Sequence, residues 1–411
     1  MSVLRAFKGY RPTKELCSKV AALPYDVMSS AEAREMVKGD PYSFLHVDRA
    51  EIDLDPSVDI YSPEVYQKAA DNLKKMIDDG IYIHDEKPCM YIYRLTMDGR
   101  SQTGLVACAS IDEYIENKIK KHELTREDKE QDRIRHVDTC NANTGPIFLT
   151  YRAKDDIDAL IAKETAKEPV YDFVSEDGVG HTVWVIDDAD TISSLEAAFA
   201  KVPSLYIADG HHRNASAVKV GLKRRGEGEY DKNAEFNFYL AVAFPDNQLK
   251  IMDYNRVVKD LNGRTKEQFL EDISKDFEVR KSADGKPQKA LDFGMYLDGE
   301  WYMLTAKAGS FDSSDPVLSL DVSILQNNLL APVLGIGDPR TDNRIAFVGG
   351  IRGLKELVSL VDSGKMAVAF AMYPTSIEQL MDIADAGKIM PPKSTWFEPK
   401  LRSGIFIHEL S

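Results

Sequence analysis

Cysteine is sparse in this 411-residue chain, and Cys17, Cys89, Cys108 and Cys140 are scattered without a C-x-x-C pair. Such spacing excludes a disulfide framework and a cysteine zinc site, and suits reduced, partly buried thiols. Positive charge is in deficit: 52 Lys and Arg stand against 67 Asp and Glu, for a net charge of −15. That balance disfavours a nonspecific nucleic-acid binder. Long apolar runs are missing too. The most apolar stretches, Phe238 to Phe244 and Met366 to Tyr373, fall far short of the ~20 residues a membrane helix needs. The N-terminus "MSVLRAFKGYRP" has no apolar core of secretory length, so a cytoplasmic protein without membrane contact is expected.

Common catalytic signatures are also lacking. "HELTR" begins like the zinc-protease pattern, but Arg126 stands where the second histidine belongs, and arginine does not ligate zinc at neutral pH. "GIGDPR" starts like a dinucleotide fingerprint and ends on Arg340. No P-loop, no G-x-S-x-G elbow and no protein-kinase motif set occurs.

What is present describes a globular protein, 43% hydrophobic and 29% charged. The length predicts two or three domains, read as 1–110, 111–265 and 266–411. Alternating strand and helix signals predict a mixed α/β (α+β) layer architecture. In the first unit, Ser30 is an N-cap candidate and "CMYIYRLTMDGRSQTGLVACASI" reads as a hairpin turning at Asp98-Gly99. In the second, Thr125 with Asp128 resembles a capping box, and strands are expected at Ile147 to Tyr151 and in "FNFYLAVAFP". In the third, a second hairpin lies in "FGMYLDGEWYML", a helix at Val322 to Leu330, and "LGIGDPRTDNRIAFVGGIRG" reads as loop.

The stretch "SLYIADGHHRNASAVKVGLKRRG", Ser204 to Gly226, carries the most specific chemistry. It predicts an apolar strand from Leu205 to Ala208, a turn at Asp209-Gly210, and a helix from His211 that Gly226 stops. Strand, glycine turn and helix start present unpaired N–H groups to an anion. His211, His212 and Arg213 add side-chain donors there. Asp209 is placed to hold a divalent cation or to orient a histidine. Four further polar clusters accompany it: "KKHELTR", "NANTGP", "DPRTDNR" and "PPKST". From these, Lys393, Ser394, Thr395 and Asn143 are substrate-binding candidates, and Glu123 and Asp209 supply carboxylates for a base or metal. Whether Asp338, Arg340 and Arg344 join the site is left open. The mixture suits phosphoryl transfer, which is largely positioning and charge neutralisation.

"PYDV", "DPYSFLHV", "KKHELTR", "KEQDRIRH", "NANTGPIF", "ADGHHR", "YNRVVKDLNG" and "FVGGIRG" together resemble the bacterial family catalogued as domain of unknown function 1015, over essentially the whole chain. "DGHHR" is also similar to the phosphate-binding motif of the ParB/sulfiredoxin-like superfamily, in particular that of free serine kinases. Those kinases carry a His-Glu pair, Asp-Gly-His-His-Arg, and a Pro-Lys followed by hydroxyl residues. His122-Glu123, Asp209 to Arg213 and Pro392 to Thr395 stand here in the same order. The resemblance implies a ParB/sulfiredoxin-like core with added N- and C-terminal units, and phosphorylation of free L-serine or a similar hydroxy amino acid by ATP or ADP. It implies that Glu123 is the general base, assisted by His122 and Asp209. Gly210, His211, His212 and Arg213 would bind and neutralise the donor phosphates, Asp209 would hold Mg²⁺, and Lys393 would assist. Trp396-Phe397 replaces a basic pair of the kinases, a change in the acceptor pocket. The alternatives are a ParB-like nucleotide-binding switch and a non-catalytic binder of a phosphorylated metabolite. A homodimer is compatible with the chain.

Overall fold

The computed structural model describes residues 2–411. The chain divides into two compact units, one running to Leu249 and completed by Pro399–Ser411, the other formed by Lys250–Glu398. This division differs from the three units read from the sequence. Residue 110 is no boundary, because Arg100–Ser110 pairs both with Met90–Met97 before it and with Phe238–Pro245 far after it.

The first unit is built on a nine-stranded mixed sheet. Its strands are β1 (Leu4–Arg5), β2 (Met90–Met97), β3 (Arg100–Ser110), β4 (Ile119–Lys120), β5 (Ile147–Tyr151), β6 (Tyr171–Val174), β7 (Gly180–Ile186), β8 (Leu205–Asp209) and β9 (Phe238–Pro245). They lie in the order β4-β8-β5-β9-β3-β2-β7-β6, with β1 beside β3. The β8–β4 and β9–β5 pairs are parallel and the others antiparallel. The β2–β3 hairpin turns on Asp98 and Gly99, at φ of 53° and 76°, the positive pair that a tight two-residue hairpin requires. One face of the sheet buries Leu105, Ala107, Leu149, Ile207 and Ala241 against the helices Asp155–Thr165 and Ala189–Phe199, through Ile157, Leu195 and Phe199.

The last thirteen residues, Pro399–Ser411, belong to this unit. His408–Glu409 pairs with Ala142–Asn143, and Leu401, Ile405, Phe406, Ile407 and Leu410 are buried. Gly404 passes so close to Phe44 that a Cβ would sit 2.5 Å from the ring, and its φ of 82° is left-handed. Only glycine satisfies both conditions.

The second unit has a six-stranded antiparallel sheet: β10 (Tyr254–Val258), β11 (Phe277–Ser282), β12 (Asp292–Leu297), β13 (Glu300–Ala306), β14 (Ile345–Gly349) and β15 (Val368–Ala371), in the order β11-β13-β12-β15-β10-β14. The helix Gly353–Asp362 covers it through Leu357 and Val361. β14 is a short edge strand within the otherwise loop-rich stretch before this helix. The helix expected at Val322 to Leu330 is an α-turn, Asp321–Leu325, that widens into a π-turn, Gln326–Leu330. Among the described residues no helix is long and apolar enough to cross a membrane.

Candidate functional site

The strand–turn–helix at residues 204–226 takes the form its sequence predicts. β8 ends at Asp209, Gly210 is the N-cap, and the helix His211–Arg225 follows. Between Ile207 and Asp209 the register against β5 slips by one residue. A bulge of this kind re-aims the next side chain and ends pairing, which here concerns Asp209. Gly210 has φ 93°, and a Cβ there would lie 3.2–3.3 Å from the Arg213 guanidinium. Glycine is needed both for the turn and to let Arg213 fold back beneath it. No side chain caps this helix, so the amide groups of its first turn are oriented for an anion.

The Glu127–Cys140 helix packs on the His211–Arg225 helix. Ser216 donates to the Glu130 carbonyl at 3.1 Å, Lys219 pairs with the Glu130 carboxylate, and Lys223 bonds Asp138 at 2.5 Å. The capping box read at Thr125 is not formed. Arg126 is the N-cap without a side-chain bond, and the Thr125 hydroxyl is drawn to the Glu130 carboxylate instead. The same loop carries His122 and Glu123 to the helix start, where the Arg126 N–H donates to His212 Nε2 at 3.0 Å. Glu123 Oε2 lies 3.9 Å from His211 Nδ1, and the rings of His122 and His211 meet edge to face at 4.5 Å.

Thus His122, Glu123, Asp209, Gly210, His211, His212 and Arg213 come together around one helix N-terminus. The histidines, however, are uncharged. Burial lowers His122 to about 4, against the opposing influence of the Ile207 carbonyl and Asp209. Burial and the facing His122 hold His211 well below the usual imidazole range. Burial also lowers His212, against the pull of Asp26 and Glu130. His211 Nε2 is buried without a hydrogen-bond partner. Such groups are costly unless they meet a ligand or water. Arg213 donates to the Pro146 carbonyl at 2.7 Å, while its Nε is buried and unpartnered. Burial thus favours the neutral form of these imidazoles, and positive charge at the helix start comes from other side chains as well.

It comes in part from a residue that the sequence reading did not single out. Lys400, in the C-terminal return, lies 3.1 Å from Asp209 Oδ2 with its side chain 12% exposed. The other oxygen of Asp209 accepts from the Gly210 N–H at 2.9 Å. Burial pushes the Asp209 carboxyl up, but Lys400 and Arg213 outweigh it and hold it at about 2. The signal for this pair is weak in the sequence, because 191 positions separate the partners.

The remaining candidates have other local partners. The Asn143 Oδ1 accepts from the Leu240 N–H at 3.2 Å and lies 3.1 Å from His408 Nδ1, so it secures the C-terminal strand pair. Lys393, Ser394 and Thr395 belong to the second unit. Lys393 sits at φ 60° with its ammonium over the Tyr254 ring, and Ser394 is buried and donates to the Pro391 carbonyl. Asp338 with Arg340 and Asp342 with Arg344 form their own turns. Among the described residues no group of three His, Cys, Asp or Glu is placed to hold a metal ion. A divalent cation would find Asp209 as a lone carboxylate whose two oxygens already serve Gly210 and Lys400. Such an ion would have to be carried mainly by phosphate oxygens, as Mg²⁺ commonly is.

The sequence matches, over residues 4–323, the family model described as protein of unknown function (DUF1015). No curated protein matches it. Similar solved structures include a free serine kinase in complex with AMP, at 13% identity and TM-score 0.36, covering 73% of this chain and 91% of that one. A conserved hypothetical protein from Pyrococcus furiosus has 14% identity and TM-score 0.35, covering 73% and 93%. SbnI with C-terminal truncation from Staphylococcus aureus has 11% identity and TM-score 0.38, covering 72% and 85%. At these values the chemistry has to be argued from the residues themselves.

Proposed function

The chain belongs to the DUF1015 family, and from the chemistry of its own residues we propose that it is a small-molecule phosphotransferase. It moves a phosphoryl group from ATP or ADP to the hydroxyl of free L-serine or a similar hydroxy amino acid. The observation that carries this reading is the placement of Glu123. Its partly exposed carboxylate lies 3.9 Å from His211 Nδ1, at the end of a helix whose first-turn amides favour an anion. A base beside a phosphate cradle is the arrangement that hydroxyl phosphorylation requires.

In the reaction the Glu123 carboxylate takes the proton of the acceptor hydroxyl as its oxygen bonds to the terminal phosphorus. The bond from phosphorus to the nucleotide oxygen breaks, and ADP or AMP leaves with that electron pair. The amides of His211, His212 and Arg213 and the Arg213 guanidinium hold the phosphate oxygens. His122 and His211 contribute neutral ring donors in a site that excludes water from their buried nitrogens. Mg²⁺, where bound, would meet Asp209 and neutralise phosphate charge.

The test is a phosphoryl-transfer assay with Mg²⁺, ATP and ADP offered separately, and a panel of hydroxy amino acids that includes L-serine. Phosphoserine should form, and Glu123→Gln should lower turnover by roughly 10²- to 10⁴-fold while nucleotide binding survives. Nucleotide hydrolysis without a phosphorylated acceptor would overturn the kinase reading in favour of a switch.

A further inference from the structure

Charge is the quantity that phosphate binding at this helix start has to balance. Glu123 and Asp209 bring two negative charges to the cluster, the three imidazoles are neutral, and Arg213 brings one positive charge. Lys121 and Arg126 of the preceding loop also act on His211 and His212, but the largely buried Asp209 carboxylate needs a cation of its own before the helix start attracts an anion. Lys400 supplies that cation from the far end of the chain. It is held largely out of solvent, although long cationic side chains ordinarily keep their heads in water.

The segment that delivers Lys400 is anchored immediately after it. Arg402, 3% exposed, donates to Ser175 at 3.0 Å and pairs with Asp177. The Ser403 N–H bonds the Ala22 carbonyl at 2.9 Å, and the Gly404 N–H bonds the Thr144 carbonyl at 3.2 Å. Such anchoring fixes a cation one residue ahead of the helix N-terminus, where Asp209 receives it.

We propose that Lys400 is a phosphate-binding residue of this site, stationed by Asp209 and supplied by the C-terminal return. The inference rests on the phosphotransferase reading and adds to it the residue that makes the cradle attractive to polyphosphate. Asp209 is then a positioning residue as well as a cation contact.

The experiment titrates inorganic pyrophosphate into the full-length protein by calorimetry, beside Lys400→Gln, Lys400→Met, Lys400→Arg and the double variant Asp209→Asn/Lys400→Gln. Thermal unfolding of each reports whether the fold is kept. Lys400→Gln and Lys400→Met should weaken binding by roughly 10- to 100-fold, the size of a charge-assisted hydrogen bond. Lys400→Arg should stay within about threefold, since it keeps the charge. The double variant should remain weak, because the phosphate contact is still missing. If Lys400 only compensated Asp209, the double variant would regain wild-type binding, and that result would overturn the proposal. Unaltered binding in Lys400→Gln would do the same while leaving the phosphotransferase reading intact. A wild-type protein that binds neither pyrophosphate nor nucleotide would remove that reading, and Lys400's role with it.

Discussion

Ending the chain at Glu398 removes Pro399–Ser411, and with it more stabilisation than the first unit can spare. Five large apolar side chains go: Leu401 and Leu410 at 3% exposure, Phe406 and Ile407 at 1%, and Ile405 at 0%. Burying each is worth about 1.5–3 kcal/mol, so the set is worth roughly 8–15 kcal/mol as an upper estimate. A whole domain is stable by only about 5–15 kcal/mol. The loss also removes the Arg402–Asp177 and His408–Glu235 contacts. The shortened chain should therefore lose the cooperative transition of its first unit in urea or on heating. The second unit, Lys250–Glu398, retains its own sheet and should melt as before, an internal control. Near-UV dichroism and calorimetry of the two transitions are the assays. A shortened chain that keeps both transitions at wild-type midpoints would refute the reasoning.

Three further expectations follow from single residues. Gly210→Ala puts an L-residue at φ 93°, at a cost of about 1–2 kcal/mol, and crowds Arg213. Urea unfolding and pyrophosphate titration should both report it, and unchanged values in both would remove Gly210 from the argument. Burial pushes the Asp321 carboxyl up to about 7, with Asp292 assisting and the Leu291 N–H opposing. A raised carboxyl favours the protonated folded state, so the stability of the second unit should be greatest near pH 4 and fall as pH rises through 7. Asp321→Asn should flatten that slope in melting curves, and an unchanged slope would assign it to other groups. The three imidazoles at the helix start titrate below the usual range. Pyrophosphate affinity, corrected for the ligand's own protonation, should therefore be level between pH 7 and 9, and a step there would contradict neutral histidines.

Legibility in the sequence followed the range of the interactions concerned. The β8 strand, the Gly210 turn and the His211–Arg225 helix are specified by neighbours in the chain, so their ends were readable almost to the residue. The same holds for the turn at Asp98-Gly99, at positive φ. Short-range signals also misled. Thr125 has the spacing of a cap, yet a nearby carboxylate competes for its hydroxyl. Ser29 rather than Ser30 caps the next helix, with Glu32 completing the box. Burial is not local, and it decides that His122 and His211 are neutral. Neither is the partnership of Asp209 with Lys400, nor the use of Asn143 to hold His408. The domain limits escaped for the same reason: the first unit is completed by residues that come after the second.

The chain passes into the second unit through Ile251–Met252 and out of it through Trp396–Phe397, and these two segments are antiparallel ladder partners. Partners in such a ladder lie about 4.5–5.5 Å apart, the separation that a tight hairpin turn spans. To the backbone of the first unit, everything between them is thus equivalent to a turn of a few residues.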